Sequence, residues 1–230
     1  MSEPLVFLPG MMCDARLFGP QTAALSATRA IHHAPITGAE SIGQIAQDVL
    51  DQAPPVFALA GLSMGGIVAM EVIRRAPDRV TRLSLMDTNF LAEAPEKAAQ
   101  REPQIVAARS GRLAAIMRDE MKPNYLAPGP ARANTLDLVM EMAQALGPEV
   151  FVRQSRALQN RPDQTDTLRS VTVPTLILCG RHDQLCPVAR HEAMAEMIQG
   201  ADLVVIEGAG HLPTLETPGE VTAALEQWLV

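Results

Sequence analysis

The chain has 230 residues, 47% of them hydrophobic, and a formal net charge of −7. That apolar content excludes a disordered chain, and the length suits one domain that needs neither disulfides nor a metal to hold its core. The acidic balance argues against nucleic acid as a general partner, because binding phosphate requires a basic stripe.

Short apolar runs alternate with amphipathic stretches along the chain. Leu5-Val6-Phe7-Leu8 reads as a buried strand closed by Pro9-Gly10, and Asp14 to Ala27 as a loop and helix. A weak strand is expected around Ala30 to Ile36, then a helix from Ser41 with Ile42, Ile45, Ala46, Val49 and Leu50 on one face. The strand Val56 to Ala60, a helix from Met64 to about Arg75 and the strand Val80 to Met86 follow. Near the C-terminus come the strand Pro174 to Cys179, a helix from Pro187 to Ile198, the strand Leu203 to Ile206 and a helix from Glu220 to Leu229. Strands that are apolar throughout and separated by helices point to an α/β fold. A mostly parallel central sheet of about six strands has helices on both faces, and the Ala30 to Ile36 strand lies at its edge.

The middle breaks this rhythm. From Thr88 to Arg169 no strand is expected, only helical segments punctuated by prolines. This stretch holds eleven of the nineteen Lys and Arg but ten of the twenty-six Asp and Glu. It reads as a helical cap (88–169) inserted after the fourth strand into a single domain (1–230), whose core is 1–87 and 170–230.

The stretch Val56 to Ala69 carries the strongest chemical signal. A strand runs into Gly61-Leu62-Ser63-Met64-Gly65, a G-x-S-x-G, and a helix follows at once. Such a sharp turn holds a strained serine clear of the backbone at the positive end of a helix. Serine alone is a poor nucleophile and needs a base oriented by an acid. Asp183 follows one strand and His211, in Gly208-Ala209-Gly210-His211, follows the next, so both emerge at the sheet edge that presents Ser63. The order Ser63, Asp183, His211 fits a nucleophile, an orienting acid and a general base, with Asp87 as the rival acid. The oxyanion hole then falls to the backbone N–H groups of Met64 and of Met11 in the loop after the first strand.

These blocks resemble the α/β-hydrolase fold superfamily, in particular capped serine hydrolases of the bacterial esterase and enol-lactonase branch. The elbow Gly61 to Gly66, the G-x-x-D-x-x-x-P of Gly180, Asp183 and Pro187, and the GxGH before Pro213 carry the resemblance. It implies a serine hydrolase with Ser63 as nucleophile, His211 as base and Asp183 as acid. Two departures stand out. Many relatives have His-Gly where Pro9-Gly10 stands, and many begin with a β-hairpin, which is expected to be missing because the first strand starts near Pro4.

The expected activity is hydrolysis of a small carboxylic ester or lactone. Two rivals stay open: carbon–carbon bond hydrolysis or elimination on an anionic substrate, which the cap arginines would suit, and a non-catalytic sensor or partner-binding protein. Aromatics make up only 3% of the chain against twelve methionines, so a pocket should be aliphatic and adaptable. Met12, Phe18, Phe90, Tyr125 and Phe151 are candidate lining residues, with core packing as their alternative. No metal-ligand cluster or cofactor motif is visible, and a small molecule is the expected partner. No apolar stretch reaches the 18 residues of a membrane span, and Met1-Ser2-Glu3-Pro4 lacks the basic start of a signal peptide. Cys13, Cys179 and Cys186 are an odd set that suits free thiols in a reducing, cytoplasmic setting. Monomer and homodimer remain equally compatible.

Overall fold

The computed structural model describes residues 2–121, 125–129 and 132–230. Six strands, β1 (Leu5–Leu8), β2 (Ile31–His33), β3 (Phe57–Leu62), β4 (Val80–Met86), β5 (Thr175–Gly180) and β6 (Asp202–Ile206), form one sheet in the order β2-β1-β3-β4-β5-β6. Every pairing is parallel. The three runs β1, β3 and β5 are buried at every residue, as uniformly apolar strands covered on both faces must be. The outer strands β2 and β6 are only partly buried. The short, half-polar Ile31–His33 therefore sits at an edge, as expected.

The helices are α1 (Gly19–Leu25), α2 (Ile42–Gln52), α3 (Met64–Arg75), α4 (Pro95–Ala107), α5 (Leu113–Ala115), α6 (Arg132–Gln159), α7 (Thr165–Ser170), α8 (Val188–Met197), α9 (Pro213–Glu216) and α10 (Pro218–Trp228). Helix α2 begins where Ser41 caps it, its hydroxyl accepting from Gln44 N–H, and it buries the five apolar residues its spacing predicts. It packs on α3, which lies against β3 and β4; α8 packs against β5 and β6, and α1 packs on α10. Between β4 and β5 all the regular elements among the described residues are helical, from α4 to α7. Two bends interrupt them, at Gly111 (φ 81°) and at Gly147 (φ 80°), where Pro148 follows.

One boundary differs in a way that matters for the site. The third strand does not end at Ala60 but runs to Leu62, because Gly61 and Leu62 pair with Leu85 and Met86 of β4. The sheet thus delivers the chain directly to Ser63. The C-terminal ends of β1, β3, β4 and β5 lie in register beside one another: Leu8 pairs with Gly61, Leu62 with Met86, and Met86 with Leu178. Among the described residues no helix is long and apolar enough to cross a membrane.

Candidate active site

Ser63 stands between β3 and α3 with φ 56° and ψ −118°, a conformation that non-glycine residues rarely adopt. Two close approaches make the turn possible. A Cβ on Gly61 would lie 2.3 Å from Gly65 O, and one on Gly65 would lie 2.1 Å from Leu8 O. Glycine at these two positions lets the elbow fold on itself and against the loop after β1. Thr88 braces the turn from the end of β4, its hydroxyl donating to Ser63 O at 2.7 Å.

The side chains of Ser63, His211 and Asp183 form one hydrogen-bonded line. His211 Nε2 is 2.9 Å from Ser63 Oγ, and His211 Nδ1 is 2.8 Å from Asp183 Oδ2. The other Asp183 oxygen accepts from Leu185 N–H at 2.8 Å and Cys186 N–H at 3.0 Å. Burial pushes the Asp183 carboxyl up, but the His211 ring and these backbone donors outweigh it and hold the group below its ordinary value. Asp87, the rival acid, lies beside Asp183 but is not the carboxyl bonded to His211. Its Oδ1 accepts from Gly180 N–H at 2.9 Å, and its Oδ2 has no conventional donor among the described residues. Complete burial and the neighbouring Asp183 charge hold Asp87 well above the carboxylate range. The surroundings thus push two adjacent carboxyls in opposite directions.

The loop after β1 leaves few donors unused. Met12, at φ 57°, donates its N–H to Gln154 Oε1 of the cap (2.9 Å), and Cys13 N–H donates to Gly10 O (3.1 Å). The N–H groups of Met11 and Met64 have no acceptor among the described residues, and both residues line the cavity at Ser63. That pair is where a developing oxyanion would find donors.

The histidine loop is held by a residue the sequence reading did not single out. Glu216 of α9 accepts from Gly210 N–H and Leu212 N–H (3.0 Å each) and from Ala127 N–H of the cap (2.7 Å). His211 N–H in turn donates to Tyr125 O at 2.6 Å. The spacing of Glu216 five residues after His211 and three after Pro213 was the available signal.

The cavity above Ser63 measures about 260 Å³ and is lined both by the strand-end loops and by the helical segment between β4 and β5, with Met11, Met64, Tyr125, Leu158, Cys186 and His211 among its walls. Of the five proposed lining residues only Tyr125 is there, its ring 5.7 Å from the His211 ring. Met12, Phe18, Phe90 and Phe151, expected in the lining, lie outside it. Phe18 stacks on Phe7 in the core (4.3 Å), and Met12 and Phe151 are fully buried away from the cavity. Phe90 packs under the Arg190 guanidinium. Large apolar side chains in a chain so poor in aromatics are consumed by the core first.

A sequence model described as the alpha/beta hydrolase family matches residues 5–225. The chain belongs to this family. This α/β-hydrolase is 25% identical to the pimeloyl-[acyl-carrier protein] methyl ester esterase of Vibrio parahaemolyticus, over 97% of this chain and 93% of that one. It superposes on a thermophilic esterase from Thermogutta terrifontis, solved with malate bound, with a TM-score of 0.91 and 29% identity. The match spans all of this chain and 90% of the other. The enol-lactonase of Burkholderia xenovorans LB400 shares the fold at a TM-score of 0.89 and 23% identity, over the whole chain and 92% of its own.

The only cluster of potential metal ligands among the described residues is Asp183, Cys186 and His211. Asp183 and His211 already bond each other, and burial raises the Cys186 thiol well above its ordinary pKa, which suits an inert neighbour rather than a ligand.

Proposed function

We propose that the protein hydrolyses a small carboxylic ester or lactone through an acyl-enzyme on Ser63. The observation that carries this reading is the line Ser63–His211–Asp183, set on a positive-φ turn and opening on the cavity. His211 Nε2 takes the Ser63 proton as Oγ bonds to the carbonyl carbon, and Asp183 holds the ring and stabilises the imidazolium. The carbonyl oxygen, now anionic, accepts from Met11 and Met64 N–H. His211 returns its proton to the departing alkoxide, and the carbon–oxygen bond breaks. Water then adds to the acyl carbon with His211 as base, releasing the acid and restoring Ser63. The names of the relatives, a methyl ester esterase and an enol-lactonase, support this carbonyl chemistry.

The substrate is a small molecule, in keeping with a cavity at the small end of ligand sites. The three cysteines are buried and unpaired, which supports a cytoplasmic location.

The test is turnover of a panel of activated esters and lactones by the wild type and Ser63→Ala. Wild-type protein should turn over many times per chain and take one fluorophosphonate adduct on Ser63. Equal rates in the variant, or undiminished labelling, would refute the assignment.

A further inference from the structure

The cavity above Ser63 gathers more cationic than anionic side chains inside a protein whose net charge is −7. Lys97, Arg101 and Arg161 line it against Glu93 and Glu120. Glu120 is exposed and taken up by Gln104 Nε2 at 2.8 Å. Glu93 is different. Its side chain is only 2% exposed and is shared by two guanidiniums. Arg101 reaches its Oε2 through Nη2 (2.7 Å) and Nε (3.1 Å), and Arg161 reaches its Oε1 through Nη2 (3.3 Å). One buried carboxylate therefore answers two cations whose side chains are 18% and 8% exposed.

Their remaining donors are aimed at little. Arg161 Nε is used by Leu91 O at 2.9 Å, whereas its Nη1 has no acceptor among the described residues. Arg101 Nη1 meets only the Met11 sulfur, at 3.9 Å, a weak acceptor. Burial lowers the Arg161 pKa, Glu93 raises it, and the facing Arg101 lowers it again. A desolvated guanidinium with unused donors is costly unless a counter-charge completes it. The Met11 thioether also links this pair to the loop that offers an oxyanion donor, so the two lie along one cavity.

We propose that Arg101 and Arg161, held apart and aligned by Glu93, form a carboxylate subsite, and that the substrate is a small ester or lactone bearing a second, free carboxylate. This rests on the reading of Ser63 as the nucleophile. The substrate carboxylate accepts from Arg101 Nη1 and Arg161 Nη1 while its ester carbonyl lies at Ser63. Lys97 adds a longer-range attraction at the cavity wall.

The test compares methyl hydrogen glutarate with the uncharged methyl pentanoate, with glutarate as inhibitor. Wild-type kcat/KM is expected to favour the hemi-ester by about 10-fold or more, and Arg101→Gln to reduce that preference by about 10- to 100-fold, chiefly through KM. Arg101→Lys, which keeps the charge without the planar fork, should restore only part of it. A wild-type enzyme that turns over methyl pentanoate as well as the hemi-ester overturns the subsite and leaves the Ser63 chemistry standing. If neither ester is hydrolysed, the panel of activated esters and lactones decides the Ser63 reading, and calorimetric titration with glutarate decides the subsite alone. Binding weakened at least 10-fold by Arg101→Gln supports it; equal binding, or none to the wild type, overturns it. Should Arg101→Gln not fold, the wild-type preference and the glutarate titration still decide.

Discussion

Replacing Gly65 by Ala tests whether the elbow and the oxyanion loop are one mechanical unit. The new Cβ would lie 2.1 Å from Leu8 O and 2.6 Å from Pro9 O, where ordinary contact begins at 3.4 Å. Both obstacles are backbone, so no side chain can swing aside to make room. The loop or the helix start must retreat by about 1 Å, a displacement that alone can cost about 100-fold in rate. Met11 follows Pro9 by two residues, and its N–H would leave its place beside Ser63. Losing one oxyanion donor costs about 10²–10³ in kcat. Overpacking adds about 1–3 kcal/mol of destabilisation, or roughly 3–10 °C in Tm for a chain of this size. Steady-state kinetics on the best ester and a thermal melt provide the measurement, with Gly219→Ala as control. There a Cβ meets nothing within 4 Å in the first turn of α10, so the rate should hold and the melt rise slightly. A Gly65→Ala enzyme with wild-type kcat and Tm would refute the reasoning outright.

Three further outcomes follow from the same geometry. Ser63→Gly should abolish turnover yet raise stability by about 1 kcal/mol, because glycine accepts φ 56° without strain; a lower Tm than wild type would contradict this. Asp183→Asn should lower kcat by about 10³–10⁴, whereas Asp87→Asn should leave it within a few-fold, since Asp87 is not the carboxyl bonded to His211 and the asparagine oxygen still accepts from Gly180 N–H. Equal losses in the two variants would mean that the acid has been misassigned. His191 has its pKa lowered from 6.5 to about 4, chiefly by burial, and its Nε2 accepts Thr88 N–H at 3.0 Å. Its folded pKa lies below the unfolded one, so its contribution is present above pH 6.5 and fades by about 3 kcal/mol as pH falls to 4. Urea unfolding across that range should show a shallower acid slope for His191→Gln, and parallel slopes would remove His191 from the account.

Most of the fold was legible because its strands are buried on both faces and therefore continuously apolar. Leu5–Leu8 and Thr175–Gly180 announce themselves this way. Gly61 and Leu62 did not, because glycine reads as a turn and only pairing with Leu85 and Met86 extends the strand through it. The serine, histidine and aspartate were legible from glycine-rich loops that follow strands, a local pattern with a mechanical cause. The cavity walls were not. Phe18, Phe90 and Phe151 look the same in sequence whether they face a core or a cleft, and tertiary packing alone sends them to the core. Glu216 and Glu93 were missed for a related reason. Each works by gathering partners far along the chain, Ala127 in one case and Arg161 in the other, and no short spacing reports that.

The hydrogen bond from His211 N–H to Tyr125 O, with Gly210 pressed so close that a Cβ would come 2.7 Å from Ala127 N, gives the cap a second office. The segment over the cavity is also the far wall of the loop that carries His211. A cap transplanted from a relative to change specificity would have to bring its own carbonyl for His211 and its own N–H for Glu216. Without them the new enzyme would lose the placement of His211 along with its old preference. Exchange of caps in this scaffold is therefore an operation on the reaction centre, and the modular boundary runs through hydrogen bonds rather than between sequence segments.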